Sequence, residues 1–75
     1  MEIAFIPHAR ARMELRGISV NMVLDCIHGA VKKDEGYLGR KVFYRKFGKK
    51  YVKVVYEVGR TELRVITVMW VYKLP

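Results

Sequence analysis

The chain has 75 residues, of which 52% are hydrophobic and 29% charged, and it carries a formal net charge of +8. This composition excludes an intrinsically disordered chain. The longest apolar run, residues 65–72, is too short for a membrane-spanning helix. The lone cysteine, Cys26, excludes an internal disulfide and a zinc-binding thiolate cluster. We expect one cytoplasmic domain over residues 1–75, without a signal peptide, membrane association or cofactor.

The positive charge is concentrated in one part of the chain. Residues 1–31 contain three basic and three acidic side chains, whereas residues 32–75 contain twelve basic and four acidic ones. Residues 37–55 alone contain seven Lys or Arg and no acid. A surface of this kind attracts nucleic acid, an anionic membrane or an acidic protein. Plain solubility charge is the simpler alternative, but a run of seven cations without an acid argues against it.

The first elements in the chain are predicted to be a short extended lead-in over residues 1–6 and then a helix. Pro7 favours a helix start and Gly17 a helix end, so the helix is expected from about His8 to Arg16. The connection at residues 17–19 is short, which indicates a hairpin or a bent pair with the next helix.

A second helix is predicted between residues 19 and 29. Ser19 is a natural N-cap and Gly29 a natural stop. Apolar residues recur at the spacing of one helix face, at Val20, Val23, Leu24 and Ile27.

After residue 30 the apolar spacing becomes two, which predicts strands. Three strands are expected at residues 41–47, 52–58 and 63–72, joined by turns at Gly48-Lys49 and Gly59-Arg60. Residues 31–37 are expected to form a fourth, edge strand, and residues 63–72 a central strand covered on both faces. The predicted fold class is therefore α+β, with two N-terminal helices packed on a three- to four-stranded antiparallel meander.

The first predicted helix carries a candidate catalytic stripe. His8, Arg12 and Arg16 lie one turn apart, within ~80° of one another. Two arginines can bind a phosphate, and His8 is the only group there that titrates near neutrality. Alternatively, each arginine lies along apolar surface and pairs with an acid, and His8 is a structural hydrogen-bonding residue.

The predicted strands carry a second candidate site, in which basic and aromatic residues interleave. Aromatic rings can stack on bases while neighbouring cations bind phosphates, although such rings more often fill a core. We predict RNA-binding roles for Arg16, Arg40, Lys41, Lys46, Lys53 and Tyr56, with Thr67 and Tyr72 as further candidates. Trp70 is expected in the core, and a β-branched strand residue is the simpler interpretation of Thr67.

The spacing of the remaining polar residues excludes other chemistries. The two histidines and Cys26 lack metal-ligand spacing, and no paired carboxylates indicate a two-metal nuclease. Hydrolysis of a phosphodiester would thus be metal-independent, which points to RNA, because its 2′-hydroxyl is an internal nucleophile. This chemistry needs a base, an acid and cations around the phosphate. We predict His8, Arg12 and Arg45 as the catalytic residues.

Two segments resemble a known family. Residues 8–19 read HARARMELRGIS and residues 65–70 read VITVMW. They resemble a family of small prokaryotic domains of unknown function, with the pattern H-A-x-x-R-M-x-x-R-G-I-S before a basic β-meander. That family is similar to the RelE and BrnT toxins, which are α+β ribonucleases. The resemblance implies a toxin-like RNase, or a derivative of one, encoded beside an antitoxin, with matching positions at His8, Arg12, Arg16 and Thr67.

The functional prediction is therefore a toxin-like, metal-independent endoribonuclease whose partners are RNA and an acidic antitoxin. The alternative is a module without catalytic activity that binds nucleic acid or an antitoxin through the basic sheet.

Overall fold

The computed structural model describes residues 2–75, which form two helices and one five-stranded sheet. The predicted α+β class is confirmed. In chain order, the elements are β1 (Glu2–Phe5), α1 (Pro7–Arg16), α2 (Val20–His28), β2 (Lys32–Glu35), a 3-10 turn (Tyr37–Gly39), β3 (Lys41–Phe47), β4 (Lys50–Val58) and β5 (Glu62–Val71).

The strand order is β1-β5-β4-β3-β2, and β1 pairs with β5 in parallel while all other pairs are antiparallel. The sheet therefore has one strand more than predicted and is mixed rather than antiparallel. The predicted lead-in at residues 1–6 is this fifth strand, and Met1 lies outside the described residues. A four-residue strand is too short to show alternation, and its partner is distant in sequence, so the pairing leaves no local pattern.

Both helices begin and end close to the predicted positions, because their caps are local. Pro7 occupies the first turn of α1, and Gly17 ends the helix in the left-handed conformation at φ 66°. The Ile18 amide then donates to the Met13 carbonyl at 2.9 Å. At the start of α2, the Ser19 hydroxyl accepts a hydrogen bond from the Met22 amide at 3.1 Å.

The core lies between the two helices and one face of the sheet. Alternate residues of β4 point into it, as the period-two pattern predicts. The buried side chains of the core are Ala9, Met13, Ile18, Val23, Cys26, Val52, Val54, Tyr56, Leu63, Val65 and Val68. The two helices therefore cover the same side of the sheet, which we call the helix face.

The opposite side of the sheet, the open face, is covered by no helix of residues 2–75. Strand β5 is interior, between β1 and β4, but it is not covered on both faces as predicted. On the open face Thr67, Met69 and Val71 remain half-buried. The reason is that both helices follow β1 and pack on one side, so the apolar residues on the other side of β5 have no second layer.

Two hydrogen bonds attach the end of α1 to β5. The Trp70 indole Nε1 donates to the Arg16 carbonyl at 2.7 Å, and the Arg16 guanidinium donates to the Val68 carbonyl at 2.8 Å. Trp70 also packs against the core, as predicted. The indole and the guanidinium thus fix the last turn of α1 on the sheet.

The positive φ of Gly17 generates a stability prediction. An added Cβ at this position meets no atom within 4 Å, so any penalty comes from the backbone conformation alone. We expect Gly17→Ala to lower the free energy of unfolding by about 1–2 kcal/mol. Gly17→Asn, which tolerates this conformation better, should lower it less. Urea denaturation of the two variants tests this, and equal losses would contradict it.

Candidate nucleic-acid interface

The predicted helical stripe lies at the border between the buried and exposed sides of α1. His8 is exposed, while Arg12 and Arg16 are half-buried. Arg16 donates to a backbone carbonyl of β5 and is therefore part of the fold. Arg12 forms no ion pair or hydrogen bond through its side chain with the described residues 2–75. Of the stripe, only His8 and Arg12 are available to a ligand.

The structure does not bring Arg45 to His8. Arg45 lies on the helix face, and its guanidinium donates to the Gly29 carbonyl at the end of α2 at 2.8 Å. It pairs across the sheet with Val52, which faces Trp70. The chain enters α1 just after Ile6, whose amide donates to the Val65 carbonyl, five residues before Trp70 on β5. The start of α1, which carries His8, and the row that contains Arg45 are thus separated by roughly 17 Å along the strands.

Several predicted RNA-binding cations have partners within the fold. Lys41 pairs with Glu35 on the helix face. Arg40 approaches Glu57 at 3.8 Å, and Arg64 pairs with the same carboxylate at 2.8 Å and with Glu62 at 3.6 Å. These acidic residues neutralise the end of the open face that adjoins the turn between β4 and β5.

The predicted aromatic and hydroxyl candidates occupy three different environments. Tyr56 is only 6% exposed and packs edge-on against Phe43, with ring centroids 5.0 Å apart, so neither ring face is available to a base. Thr67 is half-buried on the open face, opposite Val55. Tyr72 directly follows β5 and is 75% exposed. Of these three, Tyr72 alone presents a ring to solvent.

The other end of the open face carries three lysines and two tyrosines, with Asp34 at its border. In one row across the sheet, Lys32 pairs with Tyr44 and Tyr44 with Lys53; in the next row, Lys46 pairs with Tyr51. We call these five residues the lysine end. Lys46 and Lys53 form no ion pair or hydrogen bond through their side chains with residues 2–75. Lys32 approaches Asp34 at 3.9 Å.

The geometry of the lysine end fits a chain of phosphates. Lys46 and Lys53 are diagonal neighbours on adjacent strands, a relation that places such residues about 7–8 Å apart. Tyr44, which lies in the first row between Lys32 and Lys53, is 4% exposed. Burial first, and then nearby Asp34, raises the pKa of Tyr44, so its hydroxyl stays protonated at neutral pH. The site can thus hold two adjacent anions beside a half-buried ring, that of Tyr51.

Three members of the lysine end, Lys32, Tyr44 and Tyr51, are not among the predicted RNA-binding residues. The alternation that predicts Lys53 on the outer side of β4 places Tyr51 there too, so that signal was available in the sequence. Lys32 had no such signal, because its face depends on the register between β2 and β3.

Three further features of the described part of the chain concern metal binding, membrane spanning and the free thiol. Residues 2–75 contain no group of three or more His, Cys, Asp or Glu placed to hold a metal ion, and no helix long and apolar enough to cross a membrane. Cys26 is fully buried, and its thiol donates to the Val52 carbonyl at 3.7 Å. Burial raises its pKa to about 12, against a smaller lowering by Arg45. This thiol is therefore not a nucleophile at neutral pH.

Comparison with known proteins matches residues 5–70 to one family model, described as a domain of unknown function (DUF4258). The match runs from the last residue of β1 to Trp70 in β5, so it includes the predicted helical stripe and the strands of the lysine end. No curated protein and no solved structure matches the chain.

The buried thiol generates a pH prediction. The pKa of Cys26 is about 12 in the folded chain against an ordinary 9.0, so the folded state keeps its proton where the unfolded state loses it. The contribution of Cys26 to the free energy of unfolding is therefore constant below pH 9 and decreases as the pH rises from about 9 toward 12. Cys26→Ala should flatten this decrease without abolishing it, because burial also raises the pKa of Tyr44 and of Tyr56. An unchanged slope in denaturant titrations would contradict the prediction.

Proposed function

This chain belongs to the DUF4258 family, and we propose that its function is to bind RNA through the lysine end of the open face. The observation that carries the proposal is that cations at one end of this face pair with acids, whereas two lysines at the other end do not. Arg40 and Arg64 are neutralised by acids of the same sheet, whereas Lys46 and Lys53 have no acidic partner among residues 2–75.

Uncompensated cations on a sheet repel one another, and an anionic ligand removes this repulsion. Lys46 and Lys53 are on neighbouring strands, so one ligand with successive phosphates can contact both. Tyr51 lies beside Lys46 and presents part of its ring to the same surface. Phosphates beside a partly exposed ring are the chemistry of RNA, and stacking on the ring adds affinity that an isolated anion does not gain.

A charge-matched pair of double variants tests the proposed surface. We expect Lys46→Ala/Lys53→Ala to weaken binding of a fluorescent RNA stem-loop and to reduce the slope of log affinity against log salt by roughly 1.4–1.8, which corresponds to two lost phosphate contacts. Lys33→Ala/Lys50→Ala is the control. These two lysines lie over the rings of Phe43 and Trp70 on the helix face, and their removal lowers the net charge equally.

The control separates a defined interface from general charge attraction. If the lysine end is the interface, only Lys46→Ala/Lys53→Ala loses the two phosphate contacts. An equal loss of affinity and slope in both double variants would show that RNA responds to net charge alone. Thermal unfolding of the variants verifies that each is folded at the assay temperature.

We propose ribonuclease activity of the RelE and BrnT type as a second candidate function. It is favoured by exposed His8, one turn from Arg12, which has no side-chain partner among residues 2–75. His8 would take the proton from the 2′-hydroxyl, whose oxygen attacks phosphorus as the 5′-oxygen leaves and takes a proton from water. Arg12 would offset charge on the phosphate. Arg45, held at Gly29, is not part of this site.

The ribonuclease candidate predicts metal-independent cleavage. Wild-type protein incubated with labelled RNA and EDTA should give fragments with a 2′,3′-cyclic phosphate, and His8→Ala should reduce their rate by at least about 100-fold. His28→Ala, which removes the other exposed histidine, is the matched control. Intact RNA with wild-type protein, or equal rates in the two variants, would contradict a role for His8 and leave RNA binding as the function.

An acidic antitoxin is the protein partner that fits the same surface. Its carboxylates would meet the lysine end where RNA phosphates do, so the two ligands would exclude one another.

A further inference from the structure

The last residues of the described chain run from the end of β5, across β4 and β3, to the edge strand β2. Strand β5 ends at Val71, and the Pro75 carbonyl oxygen accepts a hydrogen bond from the Lys32 ammonium of β2 at 2.6 Å. Because β4 and β3 separate these strands, the span is three interstrand spacings, roughly 14 Å. Residues 72–75, which we call the tail, turn away from the direction of β5 through bends at Tyr72 and Lys73. The tail and the Lys32 side chain together cover this span.

The tail crosses on the open face. Lys32 pairs with Tyr44, which belongs to that face and is 4% exposed although no helix of residues 2–75 covers it. Val42 on the same face is also buried and, like Tyr44, lies outside the core between the helices and the sheet. Leu74 keeps only 36% of its surface exposed, so most of its side chain is covered. The tail thus lies over the lysine end.

We infer that the tail occupies the binding track of a single-stranded RNA, which displaces it on binding. This inference rests on the proposed function and specifies its ligand. The Pro75 carbonyl oxygen marks on Lys32 the position that a phosphate oxygen would take, since an ammonium group donates to both in the same way.

The shape of the track selects a single strand. A single peptide segment follows it, so it has the width of one chain, and the Tyr51 ring can stack only on bases that are not already paired. A duplex presents its phosphates on a wide cylinder with its bases covered, and it would contact the outer cations without entering the track. Displacement of the tail also costs the Lys32 hydrogen bond, which lowers the apparent affinity of the intact chain.

The test compares a single-stranded RNA with a duplex of the same length. Removal of residues 73–75 should raise affinity for the single strand roughly two- to tenfold, the range expected for one exposed hydrogen bond, and leave duplex affinity unchanged. Leu74→Gly, which loosens the tail at full length, should act in the same direction. Lys73→Ala is the control for charge, because it keeps the tail but removes a cation that the deletion also removes.

NMR relaxation of the backbone amides of Lys73 and Leu74 gives a readout that does not depend on affinity. In the full chain these amides should become more mobile when the single strand is added. Unchanged affinity after deletion, an equal gain for the duplex, or amides that stay rigid in the complex would each overturn the inference. If the wild-type chain binds neither RNA, the proposed function itself fails, whereas binding with an immobile tail rejects only the displacement.

Discussion

The parallel pairing of β1 with β5 is the constraint on which the rest of the structure depends. It places the first described strand beside the last. The chain must therefore leave β1, form both helices and re-enter the sheet at the opposite edge, as β2. The helices follow one another through a three-residue connection and pack on the same face. Two hydrogen bonds, made by the Arg16 guanidinium and the Trp70 indole, hold the end of α1 on β5. One face of the sheet is thus covered by the helices, and the other is covered by no helix of residues 2–75.

The described cations divide according to these two faces. On the helix face they have structural roles: Arg45 caps the end of α2, Lys41 pairs with Glu35, and Lys50 lies 4.4 Å from the Trp70 ring centroid. On the open face, acids compensate one end, and at the lysine end Lys32 approaches Asp34 while Lys46 and Lys53 have no acidic partner among residues 2–75. A high net charge is therefore not itself the functional signal. What matters is which cations remain without a partner after the fold has formed, and that depends on register.

Local patterns predicted the helices and three strands, because caps, turns and alternation act within a few residues. They did not predict β1 as a strand parallel to β5, since that pairing joins positions 60 residues apart, such as Glu2 and Glu62. The candidate site shows the same division. Alternation along β4 placed Lys53 outward, but only the register shows that Arg45 is distant from His8 and that Lys32 joins Lys53 in one row. The sequence shows which residue types are present, but it does not show which of them become neighbours in the fold.

The pairing of the two ends of the fold also determines when it can form during synthesis. The helices are made early, yet the surface that buries Ala9 and Met13 belongs largely to β5, which ends at Val71. Strands β2, β3 and β4 are contiguous and can pair as they emerge, and α2 packs on β3 and β4, whereas α1 keeps an apolar stripe in solvent until β5 has left the ribosome. A nascent chain halted before β5 would therefore expose that stripe, and it is the kind of intermediate that chaperones bind.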